Sequence, residues 1–352
     1  MIVRARARVF ASLNVRRTVS WCYNYAAAVK SSSQYGAILR IAQVELLPEY
    51  YNVTSAQTNL TMGIPWSRAS PANVAGMSGI AYFTALEMIK ANPTVPIGAI
   101  ASSWGGTAME PWMPPHAFAE CRDAPGSSSD HEATVGVLPS DPGLYSPGKH
   151  PEVELAAGPP SIKSTLWNSM IAPLLPLRLS GFYWYQGESN CGQRSFSRCF
   201  PAMITEWRNQ WKAPDLPFIF FQLAPWPALD AGPSTGFGGV LYKSQIAEQR
   251  AAQVNATNLP NVGMVVAADR GDSAGAFHPI HPPVKEELSH RAFLVTDNLV
   301  YVRRKSISCF PPRICSRTLM GLPRQHFPRE GGGSEHPISV LSGWQPATLY
   351  LC

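Results

Sequence analysis

Seven consecutive residues, Trp184-Tyr185-Gln186-Gly187-Glu188-Ser189-Asn190, place two carboxamides, a carboxylate and a hydroxyl directly behind an apolar run at 179–183. The run reads as a buried strand. Polar side chains packed that tightly after a strand are costly in a core, because each buried polar group needs a partner. In open α/β sheets, ligands bind just beyond the carboxyl ends of the strands. The cluster therefore reads as the rim of a site, with a well-capped strand-to-loop turn as the plain alternative. A second cluster, Ser102-Ser103-Trp104-Gly105-Gly106-Thr107, ends another short apolar strand at 96–101. Paired glycines there allow a tight turn and present bare N–H groups to a ligand. Two histidines, His278 and His281, precede the last helical stretch.

The motifs SSWGGT (Ser102–Thr107), LWNSMIAPL (Leu166–Leu174) and GFYWYQGESN (Gly181–Asn190), in this order, resemble the sialate O-acetylesterase family, part of the larger group of SGNH-type serine esterases. The resemblance runs from about Ile38 to Leu294, with a weaker fourth motif at Asp269–Lys285. It implies a three-layer α/β/α, flavodoxin-like SGNH hydrolase domain with a mainly parallel sheet, over about residues 37–298. It also implies removal of acetyl groups from sugar hydroxyls through an acyl-enzyme, with no metal or organic cofactor. The substrate would be an acetylated sugar or glycan.

In that family the nucleophile sits in a Gly-Gln-Ser-Asn block near the first strand, and residues 1–75 contain no such block. The expectation is that the first strand is missing together with its nucleophile. The remaining roles carry over residue by residue. Gly105 or Gly106 matches the backbone oxyanion donor, and Gln186 stands where a side-chain amide donor is kept. Asn168 braces the site or caps a turn, and Glu188 orders Gln186 or a neighbouring loop. His281, in Ile280-His281-Pro282, is the expected base, with His278 as its rival. The usual Asp close before that His is absent, so Asp272 or Asp269 is expected to orient it. Gly105 or Gly106, Gln186 and His281 should then converge on one pocket. Two other readings stay open. Ala101-Ser102-Ser103-Trp104-Gly105 half-matches the G-x-S-x-G elbow of α/β-hydrolases and would make Ser103 the nucleophile. Alternatively the chain is a carbohydrate-binding pseudoenzyme that keeps the pocket without the chemistry.

The 352 residues carry a formal charge of +6, unevenly spread. Residues 1–44 sum to +7, residues 299–352 to +5, and the middle to −6. A basic core for nucleic acid is therefore absent. No run of about 18 apolar residues occurs, so no membrane span is expected. The Arg-rich, acid-free start lacks a continuous apolar stretch of the signal-peptide kind and looks more like a transit peptide. Residues 1–36 read as an atypical basic segment and 299–352 as an irregular, poorly ordered tail. Seven cysteines are an odd number. Cys191 and Cys199 bracket a loop behind QGESN and are expected to pair. With three Asn-X-Thr triplets at Asn52, Asn59 and Asn255, such a pair favours the secretory route. The histidines show no zinc spacing.

The elements that must position these residues follow from periodicity. Helical spacing covers 77–91, 200–212, 242–254 and 284–295, and a short helix or turn covers 165–175. Buried strands are expected at 96–101, 179–185, 217–224 and 262–268. Alternating strands and helices argue a parallel sheet covered on both faces. The Pro-, Gly- and acid-rich stretch 111–161 reads as a loop-rich insertion.

Overall fold

A computed structural model of the chain describes residues 7–13, 18–121, 159–225, 243–271 and 280–301. Seven strands form one sheet in the order β3-β2-β4-β1-β5-β6-β7. They are β1 (Arg8–Leu13), β2 (Leu39–Val44), β3 (Met62–Arg68), β4 (Ile97–Ser102), β5 (Gly181–Trp184), β6 (Phe218–Gln222) and β7 (Val262–Val266). All neighbours are parallel except β3, which runs antiparallel to β2 at one edge. Set aside the β2–β3 pair, and β4-β1-β5-β6-β7 reads 2-1-3-4-5 in chain order, the flavodoxin-like arrangement.

This order corrects one expectation. The first strand is not missing: Arg8–Leu13 fills the central slot, with Leu13 level with Ser102 of β4 on one side and Trp184 of β5 on the other. Residues expected to stand outside the domain therefore form its middle. The strand is buried because both of its faces are covered. Phe10 packs into one layer of the core and Ala11 and Leu13 into the other. Alternation along a strand sends successive side chains to opposite faces.

The first layer holds helices α1 (Tyr25–Ser31), α2 (Gly79–Ala91) and α5 (Lys285–Thr296), which cover Ile41, Ala99, Tyr183 and Phe221. On α2, ten of thirteen residues are buried, so the helix is apolar nearly all round, as a helix wedged between sheet and neighbours must be. The opposite layer carries α3 (Phe196–Gln210) and a π-helical turn, Trp167–Ile171. It is dominated by aromatic edge contacts: Trp184 meets Trp112 at 6.0 Å and Trp207 at 5.7 Å, both near perpendicular. Edge-to-face pairs are the favoured geometry for rings with a negative face and a positive edge. A further helix, α4 (Lys243–Val254), follows β6.

All the described residues belong to one compact unit. The expected irregular tail beyond residue 301 and the middle of the expected insertion, 122–158, lie outside the described residues. Within these, no helix is long and apolar enough to cross a membrane.

One disulfide joins Cys121 to Cys199, with Cα atoms 4.7 Å apart. The expected Cys191–Cys199 bridge is thereby overturned. Cys199 lies on the buried side of α3 and faces the chain segment at 117–121, whereas the Cys191 Sγ points to the Gly187 carbonyl at 3.8 Å. Cys191 and Cys22 are free, and burial pushes both thiols up to about 12.

Candidate active site

The parallel strands β4, β1, β5, β6 and β7 deliver their carboxyl ends to one edge of the sheet. In a 2-1-3-4-5 sheet the connections change direction between the first and third strands, and the crevice opens there. In this chain that point lies between β1 and β5. Leu13 ends β1; Trp184 ends β5 and leads into Tyr185-Gln186-Gly187-Glu188.

The two motif loops are stitched together at this edge. Ser189 Oγ donates to the Gly106 carbonyl at 3.0 Å, and Gln186 Nε2 donates to the Thr107 carbonyl at 3.2 Å. Gly106 has φ +77°, a conformation that only glycine adopts without strain, which is the reason for glycine at the turn. Among the described residues, neither Gly105 nor Gly106 commits its N–H to a hydrogen bond. Gly187 has φ +153°, a conformation side chains rarely adopt, and the space around it is tight. A Cβ there would lie 3.3 Å from Gln253 Nε2 and from Leu223 Cδ2. Gln253 on α4 clamps the strand ends by donating to the carbonyls of Gln186 and Phe221, both at 3.2 Å, and accepting from the Leu223 N–H.

Asn190 is the hub beneath the site. It is fully buried and its carboxamide uses every atom it has. Oδ1 accepts from the Met109 N–H at 2.9 Å and from Gln186 Nε2 at 2.6 Å. Nδ2 donates to the Glu110 carboxylate at 3.0 and 3.2 Å and to Gln193 Oε1 at 2.7 Å. The orientation is not arbitrary. A backbone N–H can only donate and a carboxylate accepts, so Met109 must face Oδ1 and Glu110 must face Nδ2. With Asn190 fixed, the Gln186 atom beside Oδ1 must be the NH2. Both hydrogens of that NH2 are then taken by Thr107 and Asn190, and Oε1 is the atom left buried without a partner. The geometry thus turns the Gln186 amide donors inward, toward the loop framework. Sequence reasoning gave Asn190 and Glu110 no role. The available signal was the spacing Gln186–Asn190, one helical turn of polar residues in a buried stretch.

Glu188 lies in the same turn. Burial pushes its carboxyl up to about 7, against the opposing pull of backbone N–H groups and the Lys285 charge. Lys285 is itself buried, with its ammonium 5.4 Å from the centroid of the Tyr185 ring. Lys285 thus brings the start of α5, four residues after His281, against the residue that precedes Gln186. His281 is half-buried in the turn before α5 and has partners of its own. His278 and Asp272 lie outside the described residues.

Other expected roles fare differently. Asp269 is bound by Arg291 through two contacts of 2.7 Å, which hold its carboxyl below the usual range. It belongs to an ion-pair cluster with Arg270, Glu287 and Arg291 at the start of α5. Asn168 braces a loop: its Nδ2 donates to the Val53 carbonyl at 2.8 Å, and its own carbonyl accepts from the Gln57 N–H. Ser103 is half-buried beyond β4. It leads into irregular chain and a short 3-10 turn at Glu110–Trp112, and its φ is not positive. A nucleophile elbow is a strained strand-to-helix turn, and that geometry is absent at Ser103. Among the described residues, no cluster of three His, Cys, Asp or Glu side chains could hold a metal ion.

Residues 158–289 match the family model described as carbohydrate esterase, sialic acid-specific acetylesterase. The sialate O-acetylesterase of Rattus norvegicus is 28% identical over 312 residues, covering 82% of this chain and 55% of its own. That of Homo sapiens is 27% identical over 304 residues, covering 82% and 52%. The chain therefore spans about half the length of the curated relatives it matches. A crystal structure of a carbohydrate acetylesterase from Xanthomonas citri superposes with a TM-score of 0.62 at 26% identity, covering 84% of this chain and 56% of that one. Sequence and fold agree with the motifs at the sheet edge, and the chain is similar to the sialate O-acetylesterases in sequence and to a carbohydrate acetylesterase in fold.

Proposed function

We propose that the chain is a carbohydrate O-acetylesterase-type domain that takes acetyl esters on sugar hydroxyls, O-acetylated sialic acid foremost, and that it turns them over poorly. One observation carries the second half of this reading. The central strand ends at Leu13, and the sequence from there, Leu13-Asn14-Val15-Arg16-Arg17, includes no serine. Laid on the Gly-Gln-Ser-Asn block of the family, Ala11-Ser12-Leu13-Asn14 keeps only the Asn, and the buried Leu13 replaces the nucleophile. Ser12 is no substitute. It sits inside the strand, beside Ala101 and Tyr183, on the face opposite Leu13.

The rest of the constellation keeps its assignments. Gly105 and Gly106 offer N–H groups to a carbonyl oxygen that gains charge. His281 is the base, and Asp272 is the carboxylate that orients it, Asp269 being held by Arg291. Glu188 and Asn168 support the loops, and Gln186 supports the glycine loop through Thr107. An acyl-enzyme mechanism needs a hydroxyl to attack the acetyl carbon and an imidazole to take its proton. Losing one triad member removes most of the rate and leaves about 10³–10⁴-fold over water from the oxyanion hole and binding. The pocket then holds an acetylated sugar longer than it cleaves one, which is the binding-module reading of the same site.

The test is acetate release from O-acetylated sialic acid and from an aryl acetate by the purified chain, alongside equilibrium binding of the sugar. Saturable binding with turnover far below the ordinary enzymatic range of about 1 s⁻¹ is expected. Turnover at or above that rate contradicts the reading. Its abolition in Ser103→Ala or Ser12→Ala would then name the serine responsible.

A further inference from the structure

We infer that Tyr185, Gln249 and Arg250 form a carboxylate-binding recess beside the crevice, and that it takes the carboxylate of an acidic sugar whose acetyl ester lies at the glycine loop. The inference rests on the proposed esterase reading of the crevice and adds what selects the sugar. Three hydrogen-bond donors carry it. Gln249 Nε2, Arg250 Nη2 and the Tyr185 hydroxyl are all buried and make no hydrogen bond. Gln249 as a whole is only 2% exposed. Buried polar groups are nearly always paired, because an unpaired one has lost its hydration without return. Three such donors close together mark a place for acceptor atoms that the described residues do not supply.

The fold brings them to the ends of two neighbouring strands. Arg250 Nε donates to the Leu223 carbonyl at 2.9 Å, which sets the guanidinium at the residue that follows β6. Gln249 comes from the same helix, α4, and its amide nitrogen lies 3.4 Å from where a Gly187 Cβ would stand. Tyr185 directly follows β5, its hydroxyl lies toward the Ala224 backbone, and it and Arg250 feel each other's charge. Ligands of open α/β sheets bind just outside such strand ends. The recess is also short of negative charge. Among the described residues Arg250 has no carboxylate partner, and burial works against its charge. Lys285 places a second cation 5.4 Å from the centroid of the Tyr185 ring. Burial holds the proton of the Glu188 carboxyl up to about 7, against the pull of backbone N–H groups and Lys285, so Glu188 is not the counter-ion of Arg250. A guanidinium and a carboxylate match as planar partners, and the Tyr185 and Gln249 donors suit the remaining lone pairs. Sialic acid carries a carboxylate on its ring, whereas a neutral sugar offers nothing to a buried guanidinium. Ordered water would satisfy the same donors without selecting a sugar, and a preference for the acid separates the two.

The experiment measures, by calorimetry on the full chain, equilibrium binding of an O-acetylated sialic acid and of its methyl ester, in which the carboxylate is capped and neutral. The natural chain, Arg250→Gln and Tyr185→Phe are compared, each confirmed folded by its thermal transition. The natural chain should bind the acid at least about tenfold more tightly than the ester, the worth of one charge-assisted hydrogen bond. Arg250→Gln should bring the two ligands to within about twofold of each other and leave the affinity for the ester as it was. Tyr185→Phe deletes a hydroxyl that has no partner in the fold, so it should keep the thermal transition and lower the acid-to-ester ratio by about threefold. Saturable binding of both ligands with equal affinity to the natural chain overturns the recess and leaves the esterase reading standing. An Arg250→Gln chain that weakens both ligands alike makes Arg250 a structural residue and also overturns it. Binding of neither ligand sinks the reading of the crevice, and the recess with it. Should Arg250→Gln fail to fold, Tyr185→Phe decides alone: an unchanged ratio there contradicts the inference.

Discussion

At the scale of single residues, the site is held by a carboxamide rather than a charge. Asn190 ties the Gln186 amide to the Met109 N–H and the Glu110 carboxylate, and the Thr107 carbonyl takes the second Gln186 hydrogen. Asn190→Ala leaves several buried polar groups unpaired, each costing about 1–3 kcal/mol. A loss of about 2–4 kcal/mol in stability by chemical denaturation is expected; a loss under about 0.5 kcal/mol would mean that the network is not structural. Glu188 gives a pH signature. Its folded carboxyl holds a proton up to about 7 because it is buried, whereas an unfolded Glu releases it near 4.3. Between those values the folded state binds more protons, so stability falls as pH rises through this window. Glu188→Gln should flatten that slope, and an unchanged slope in the variant would assign it to another group. The Gly105/Gly106 loop and the QGESN residues were legible from their types, since paired glycines and clustered polar groups behind strands have few other uses. The inward turn of the Gln186 amide was not legible, because it depends on Met109 and Glu110, about 80 residues away in sequence.

At the scale of elements, the four strands and the longer helices from Gly79 onward were read with their type, because each is long or continuously apolar, whereas the start of Phe196–Gln210 was placed four residues late and the short helix Ala117–Glu120 was read as loop. The first three strands were missed for a physical reason. β1 has six residues behind an Arg-rich stretch, and both of its partners, β4 and β5, lie far along the chain. Pairing over such distance leaves no local signal. Because β1 is central, its side chains matter more than its position near the terminus implies. Phe10 is 2% exposed and packs 5.7 Å from Tyr183. Phe10→Ala should cost about 3–5 kcal/mol, read from the denaturation midpoint; a cost under about 1 kcal/mol would place the strand outside the core. The disulfide shows the same limit of local reading. Cys191 lies eight residues before Cys199 in sequence, yet Cys121, across a separation of 78 residues, is the one bonded. Cys199→Ser or reduction should lower stability by about 2–4 kcal/mol, while Cys191→Ser should leave the reductant-sensitive step in place. The reverse pattern would reinstate the nearer pairing.

At the scale of the whole molecule, the described strands fill all five places of the 2-1-3-4-5 core, and on the proposed reading the chain departs from the family block where the central strand ends. Framework and reaction are therefore separable in this chain. The glycine loop and the QGESN turn are held by contacts to each other, to Met109 and to Gln253. On the proposed reading, a serine placed at Leu13 supplies the missing nucleophile. The most direct measurement compares aryl acetate hydrolysis by the natural chain with that by the triple variant Ala11→Gly, Ser12→Gln, Leu13→Ser, each confirmed folded by its thermal transition. The account predicts a gain of at least about 10³-fold in kcat for the variant, the typical worth of a triad member. A folded variant no faster than the natural chain, or a natural chain already turning over near 1 s⁻¹, would contradict it.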